Sequence, residues 1–326
     1  TPMPLELVDA DTQVAGNHAH GRMAKQSPCG TWFYKPHVAG DARSAVEFAF
    51  YADVSREAKL DDDDDDDDAV PRERVDDAVP TPKTPDDAND AARALRAFVC
   101  ARIPRCPASR ASKTRGRNET FGTSDGFGDG LDADGYLRLK NLTFGYARPC
   151  VIDLKIGVRT WDGKHSAEYS EKRAKSEAGT THETLGFKVC GAQTYDASGA
   201  LQRLSRDECK RIRMSEALTK ETLENFVRDP ATGERNAWFW PALLKQLLSE
   251  PLRALSYRLV GTSLLVVYES GSLAPSEIAG AVCVPESKLE ARYIDFCHAV
   301  RKCDGEDVDH NFEGGLKLFQ RFVESM

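Results

Sequence analysis

The chain has 326 residues, 40% hydrophobic and 29% charged, so it can bury a core that needs no disulfide or metal staple. No run of eighteen apolar residues occurs and the mean hydropathy is -0.49, so we expect no membrane span. The net charge of -8 is unevenly placed, because residues 61–90 alone hold fourteen acidic and three basic residues. The remainder is a mildly basic body, which suits a binder of anionic ligands.

The nine cysteines form no C-x-x-C pair. This spacing argues against a zinc module and against a disulfide scaffold, and it favours a reducing compartment.

Residues 13–56 predict a small sheet followed by a helix. The segment from Gly30 to Pro36 begins at a turn residue and is rich in aromatic side chains, as strands are. From Ala42 to Val54, apolar residues recur every four positions, which indicates a helix. We expect residues 1–57 and 93–142 to form one lobe.

An acidic linker is predicted over residues 58–92. It contains the run Asp61 to Asp68 and several prolines, and such a composition cannot bury enough apolar surface to offset its ordering entropy. A short helix is predicted near 89–101. The window from Arg102 to Arg117 that follows has six basic residues and no acidic one, and it is either a nuclear-import signal or a solvated loop.

Regular structure is predicted again from the strand Tyr136 to Leu142, and residues 143–326 predict a second lobe. We expect strands near 150–157, 185–196, 258–269 and 290–297, and helices near 166–177, 205–227, 236–249 and 312–325. Strands and helices are mixed without a regular βαβ period, which favours an α+β fold over a doubly wound sheet.

The segment from Pro149 to Gly157 is the most informative for function. On a strand, side chains alternate between faces, so three apolar residues share one face while Asp153 and Lys155 share the other. A carboxylate and an ammonium side by side on a rigid strand can grip a polar ligand or a phosphoryl group. The alternative is an exposed cross-strand ion pair.

A second candidate segment surrounds Asp295, which stands between two apolar residues near the end of a predicted strand. A carboxylate in such a place needs a partner, and Mg²⁺ is the natural one if phosphates are nearby. The alternative is a buried aspartate that caps a turn. Ser263 and His298 are further candidates, for which packing and surface roles are the alternatives.

Lys35 and Glu47 combine a strand lysine with a helix glutamate, which is how kinases hold nucleotide phosphates. A spacing of twelve residues also arises by coincidence. The chain has neither a P-loop nor a G-x-G-x-x-G loop, and it has no H-R-D motif, so P-loop, Rossmann and ordinary protein kinase interpretations fail.

The helix predicted after Ser166 carries Lys172, Arg173 and Lys175. Cations on one helix face suit a multiply phosphorylated ligand. The alternative is a solvated helix in which Glu168 pairs with Lys172.

Taken together, these segments resemble the inositol polyphosphate kinase family. The family signature P-x-x-x-D-x-K-x-G stands at Pro149, Asp153, Lys155 and Gly157. Thr262 to Leu265 resembles its S-S-L-L strand, and Ile294 to His298 resembles its I-D-F-A-H motif with Cys297 in place of alanine. The resemblance covers about 13–56 and 136–326, and Arg159 to Trp161 and Asp309 to Leu316 are most similar to the plant-type multikinases within the family.

The resemblance implies a two-lobed α+β fold, distantly like protein kinases and SAICAR synthase, with ATP in the cleft between the lobes. Lys35 would contact the ATP phosphates, Glu47 would hold Lys35, and Asp153 would bind the ribose hydroxyls. The hinge would lie at Leu139 to Leu142, with adenine contacts at Leu139, Asn141 and Leu142. The family often has acidic residues where this chain has Lys140 and Asn141, so we expect backbone contacts there.

The same resemblance implies roles on the substrate side. Lys155 would sit at the transferring phosphate and the attacking hydroxyl, and Asp295 would ligate Mg²⁺. His298 and the basic helix with Lys172, Arg173 and Lys175 would face the inositol phosphate.

The implied activity is that of an ATP-dependent inositol polyphosphate multikinase, which phosphorylates inositol trisphosphate and tetrakisphosphate toward the pentakisphosphate. One alternative is an inositol hexakisphosphate kinase that makes pyrophosphates, and another is a non-catalytic regulatory scaffold. We expect a monomer with no direct nucleic-acid partner, in the nucleus, the cytoplasm or both.

Overall fold

The computed structural model describes ten stretches of the chain: residues 8–9, 24–38, 40–57, 94–99, 103, 136–162, 166–248, 255–271, 289–303 and 308–326. The acidic linker predicted at 58–92 lies outside these stretches. So does the basic window from Arg102 to Arg117, apart from Ile103.

A four-stranded antiparallel sheet carries Lys35. Its strands, in spatial order, are β1 (Val8–Asp9), β2 (Lys25–Gln26), β3 (Trp32–Pro36) and β4 (Tyr136–Lys140). Trp32 pairs with Lys140 in the β3–β4 register, so the turn between β2 and β3 lies beside the end of β4. Helix α1 (Ala42–Glu57) follows β3, and a short helix α2 covers 94–99.

Helix α1 packs through the apolar residues that predicted it. Phe50 and Val54 are both buried. The Phe50 ring stacks on that of Phe296 with a centroid separation of 3.9 Å, and Tyr51 meets the same ring edge-on at 5.4 Å. Since Phe296 follows Asp295 directly, this packing fixes α1 against the segment that carries Asp295.

A five-stranded antiparallel sheet carries the signature strand at its centre. Its order is β10 (Leu289–Ile294), β9 (Ser263–Glu269), β5 (Pro149–Ile156), β6 (Phe187–Tyr195) and β7 (Leu201–Arg203). A separate pair consists of β8 (Tyr257–Arg258) and β11 (Val300–Arg301). Ile152, Leu154 and Ile156 on β5 are fully buried in the main core, as their alternation predicts.

Six more helices complete the second lobe: α3 (Ala167–Glu177), α4 (Thr181–Leu185), α5 (Arg206–Ile212), α6 (Glu216–Phe226), α7 (Phe239–Leu248) and α8 (His310–Glu324). Capping side chains fix several of their starts. Ser166 accepts from the Tyr169 amide, Ser205 forms a capping box with Glu208, and Asp309 accepts from the Phe312 amide. Within the described stretches, none of the helices combines the length and apolarity that a membrane crossing requires.

Three predicted elements differ from the structure. The helix predicted at 205–227 is two helices, because Ser215 caps α6 after a turn. The strand predicted at 258–269 breaks at Gly261, whose φ is +66°. The strand predicted at 290–297 ends at Ile294, because Asp295 has a φ of +64° that no strand accommodates. The short helix α4 has no counterpart among the predictions.

Candidate functional site

Asp153 is a buried carboxylate on the face of β5 opposite the core. The residue is 4% exposed, and its Oδ1 atom has no hydrogen-bond partner within the part of the chain that the structure describes. Burial, and then the negative charge of Asp295, raise the pKa of Asp153 to about 6. The alternative of an exposed ion pair is therefore wrong for this residue. A ligand that donates hydrogen bonds would satisfy the buried oxygen.

Charged Asp153 destabilises the folded protein, which predicts that Asp153→Asn is more stable than the parent by about 1 to 3 kcal/mol near neutral pH. A carboxyl whose folded pKa exceeds its unfolded pKa binds its proton more tightly when folded. The stability advantage of the variant should therefore grow as pH rises from about 4 to about 6, whereas the titration of His182, which is common to both proteins, cancels in the comparison. Urea unfolding across that range measures the difference, and a gap that does not vary with pH would contradict the assignment.

Lys155 points from the same face of β5. Its Nζ donates a hydrogen bond to the carbonyl oxygen of Gly261, in the loop that leads into β9. Burial on its own would lower the pKa of Lys155, but nearby negative charge, including that of Asp295 and Asp153, raises it above its ordinary value. The ammonium therefore stays charged.

Lys35 joins the two lobes through two carboxylates. Its Nζ lies 2.8 Å from Glu47 Oε1 on α1 and 2.6 Å from Asp295 Oδ1. The positive charge of Lys35 lowers the pKa of Asp295 to about 2, although burial opposes the shift. Asp295 is the one non-glycine residue with positive φ in the described stretches, so the turn that follows β10 holds its carboxylate toward Lys35.

The predicted hinge contains an asparagine whose side chain is used within the protein. Asn141 Nδ2 donates to the Gly30 carbonyl at 2.7 Å, and its Oδ1 accepts from the Thr143 amide and hydroxyl at 3.1 and 2.9 Å. Its backbone amide donates to the Thr31 carbonyl at 2.9 Å. Asn141 therefore ties the hinge to the β2–β3 turn, and its carboxamide has little left to offer a ligand.

A small apolar cluster lies next to the hinge and was not predicted. Leu142, Val151 and Val267 are buried together, with Leu265 and Ile294 partly buried against them. Val151 shares the β5 face of Asp153, so the cluster and the unsatisfied carboxylate lie side by side. A flat apolar ring with an attached hydroxylated sugar would match both. Leu139, the other predicted hinge contact, is buried in the main core.

The three cations of α3 have different surroundings. Arg173 donates to Glu177 at 2.6 Å and to the Thr160 hydroxyl, so its guanidinium belongs to an internal network. Lys175 pairs with Glu171 at 2.7 Å on the surface. Lys172 is exposed and forms no ion pair with another described residue, so the predicted pairing with Glu168 is absent from that part of the chain.

Glu177 anchors a charged network that sequence reasoning missed. This buried carboxylate binds Arg173 and lies 3.5 Å from Lys188 Nζ, and Lys188 is the cross-strand partner of Lys155. Two facing lysines repel each other, and the carboxylate offsets that cost. Close by, His182 is fully buried, and burial together with these cations lowers its pKa to about 2. In the sequence, the i, i+4 spacing of Arg173 and Glu177 was the one feature that could have indicated this network.

The structure brings six of the predicted residues to one place. The ring of His298 lies beside Gly261, because its Cδ2 atom would be 3.7 Å from a Cβ added to that glycine. The carbonyl of Gly261 in turn accepts the hydrogen bond from Lys155. The group consists of Lys35, Glu47, Asp153, Lys155, Asp295 and His298. Lys172 and Lys175 remain exposed on α3.

Comparison with known proteins points to one family of kinases. The family model for inositol polyphosphate kinase matches residues 136–324, more than half of the chain. Inositol polyphosphate multikinase alpha of Arabidopsis thaliana is 28% identical over 213 residues, which cover 61% of this chain and 71% of that protein. Inositol hexakisphosphate kinase 3 of Homo sapiens is 30% identical over 213 residues, which cover 59% and 51%.

A solved structure confirms the predicted fold class. The crystal structure of inositol phosphate multikinase Ipk2 from S. cerevisiae, in complex with ADP and Mn²⁺, has a TM-score of 0.57 and 18% identity, covering 91% of this chain and 99% of that one. Because the family model spans more than half of the chain, including the signature strand, Asp295 and α8, the chain belongs to the inositol polyphosphate kinase family.

Proposed function

We propose that the protein is an ATP-dependent inositol polyphosphate multikinase, which phosphorylates inositol trisphosphate and tetrakisphosphate toward the pentakisphosphate. The observation that carries this proposal is the convergence of two lysines from different sheets, Lys35 and Lys155, on the single carboxylate of Asp295. Phosphoryl transfer depends mainly on positioning and on neutralising charge on the transferred group, and this set of residues supplies both.

The residues present fit ATP with Mg²⁺. The apolar cluster of Leu142, Val151 and Val267 suits an adenine ring, and the unsatisfied oxygen of Asp153 suits a ribose hydroxyl donor. Because the Asn141 side chain is occupied, we propose that the hinge from Leu139 to Leu142 contacts adenine through its backbone. Mg²⁺ bound with ATP would neutralise phosphate charge, and Asp295 would hold it through a carboxylate that is one-third exposed.

Each catalytic side chain has a defined task in this proposal. Glu47 holds the Lys35 ammonium against the nucleotide phosphates at the 2.8 Å separation seen here. Lys155, fixed by the Gly261 carbonyl, binds the transferring phosphoryl group and orients the attacking hydroxyl. His298, whose ring lies beside Gly261, contacts the inositol phosphate. Arg173 does not contact the substrate in this proposal; it supports the site indirectly, through its ion pair with Glu177.

Lys172 supplies a test of the substrate side. We expect Lys172→Ala to raise the KM for inositol trisphosphate severalfold and to leave the KM for ATP unchanged. An exposed cation that has no ion-pair partner among the described residues contributes to affinity more than to the chemical step. Lys172→Gln should have the same effect, because it removes the charge but keeps most of the aliphatic stem. The two variants together distinguish the loss of charge from the loss of packing. Lys220→Ala, at an exposed position on α6, is the matched control. Steady-state kinetics at low salt measure all three, and a parental KM in both Lys172 variants would show that α3 is only a solvated surface.

Substrate choice separates the multikinase from the hexakisphosphate kinase, since relatives with both names match this chain. The purified protein is incubated with ATP, Mg²⁺ and either inositol trisphosphate or hexakisphosphate, and the products are separated by anion-exchange chromatography. We expect conversion of the trisphosphate to tetrakis- and pentakisphosphate. Pyrophosphate products from hexakisphosphate alone would favour the alternative enzyme, and no product from either would favour the scaffold.

A further inference from the structure

The turn that follows β5 is held by one carboxamide. Asn311, in the first turn of α8, accepts hydrogen bonds on Oδ1 from the backbone amides of Val158 and Arg159, at 3.1 and 3.0 Å. Its Nδ2 donates to the Arg159 carbonyl at 3.0 Å. Both backbone polar groups of Arg159 are therefore fixed by a single side chain from a distant helix.

Gly157 permits this close approach. Its φ is +114°, and its amide donates to the Gly186 carbonyl at 2.9 Å. A Cβ at this position would stand 2.9 Å from Asn311 Nδ2. A residue with a side chain would be strained here and would push the carboxamide away, so glycine and Asn311 form one arrangement.

The first turn of α8 also holds the other segment that flanks Lys155. Asp309, the helix cap, accepts from the Leu259 amide at 2.5 Å, two residues before the Gly261 carbonyl that binds Lys155. Thr160 lies beside Gly261, since its Cβ and carbonyl oxygen are each 3.8 Å from where a Gly261 Cβ would stand. The turn that carries Arg159 therefore borders Lys155 and His298.

The Arg159 side chain itself is exposed and forms no hydrogen bond or ion pair with the other described residues. The guanidinium thus has no counterion among the described residues, and the three hydrogen bonds of Asn311 fix the backbone from which it extends, so less freedom is lost when it binds an anion. Its planar fork of donors matches phosphate oxygens in two parallel hydrogen bonds. Because the turn that carries Arg159 borders the segment that holds Lys155, the anion of matching chemistry is a phosphate of the inositol substrate.

We propose that Arg159 binds a phosphate group of the inositol phosphate and that Asn311 is the positioning residue that presents it. The proposal rests on the proposed function and deepens it, because it adds a specific phosphate contact at the mouth of the site. Asn311 acts through Arg159, so the two residues form one unit in binding.

A double-mutant cycle tests the pair. Arg159→Ala, Asn311→Ala and the double variant are compared with the parent for kcat and for the KM of inositol trisphosphate and of ATP. We expect Arg159→Ala to raise the inositol trisphosphate KM about 10- to 100-fold, which is the size of a charge-assisted hydrogen bond, with the KM for ATP unchanged. Asn311→Ala should give a smaller rise, and the double variant should be no worse than Arg159→Ala. Arg206→Ala, at an exposed position on α5, is the control and should match the parent.

A milder substitution at Asn311 distinguishes a role in positioning Arg159 from a general effect on protein stability. Asn311→Gln keeps both the acceptor and the donor on a longer, uncharged side chain, so its KM should lie between those of the parent and Asn311→Ala. A parental KM in Arg159→Ala, or additive effects in the double variant, would overturn the proposal while leaving the proposed function standing. A parent protein without turnover on inositol phosphates would overturn both.

Discussion

Lys155→Ala and Asp295→Asn are each expected to lower kcat about 100-fold or more while the protein stays folded. Both groups act on charge that develops during phosphoryl transfer, Lys155 from the centre of the larger sheet and Asp295 through its contact with Lys35. Asparagine is the informative substitution at position 295, because it keeps the shape of aspartate and tolerates the φ of +64° better than any other uncharged residue except glycine.

Turnover and a thermal melt, measured on the same preparations, check this expectation. Lys210→Ala is a suitable control, since that lysine is exposed and paired with Asp207 on the surface of α5. If either test variant keeps more than about a tenth of the parental rate, its assigned role is wrong.

Gly315→Ala is expected to destabilise the protein strongly, by about 3 kcal/mol or more, whereas Gly314→Ala should stabilise it by about 0.5 to 1 kcal/mol. A Cβ at Gly315 would lie 2.4 Å from the Gly157 nitrogen and 2.7 Å from the Gly186 carbonyl oxygen, and both neighbours are backbone atoms that cannot move aside. A Cβ at Gly314 meets nothing within 4 Å, and the adjacent position in the same helix makes it a matched control.

Thermal and urea unfolding measure both glycine variants. The expected outcome is a fall of several degrees in Tm for Gly315→Ala and a small rise for Gly314→Ala. Equal shifts would show that α8 does not cross β5 and β6 as closely as described. Because the crossing lies two residues after Lys155, a folded Gly315→Ala protein should also lose activity.

Local sequence patterns were sufficient to predict the strands and helices whose residues alternate or repeat regularly. Alternation along β5 correctly separated the core face from the face of Asp153 and Lys155, and four-residue spacing correctly predicted α1. The cap at Ser166 explains why the start of α3 was predicted within one residue. These features arise from neighbouring residues, so one sequence is enough to read them.

Contacts between distant segments account for what the sequence did not show. The positive φ of Asp295 follows from the turn that binds it to Lys35, 260 residues away in the chain. Arg173 seemed suited to the substrate, yet the Glu177 carboxylate, shared with Lys188 from another element, draws its guanidinium inward. The two hydrogen bonds of Asn311 to Arg159 also span 152 residues, and no local pattern marks them.

The central claim is that this protein transfers phosphate from ATP to an inositol phosphate hydroxyl at Lys155. Transfer of radioactive phosphate from [γ-³²P]ATP to inositol trisphosphate, followed over time for the parent and for Lys155→Ala, tests that claim most directly. We expect labelled tetrakis- and pentakisphosphate with the parent and almost none with the variant. Unlabelled inositol phosphate with the folded parent, or equal labelling by both proteins, would contradict it.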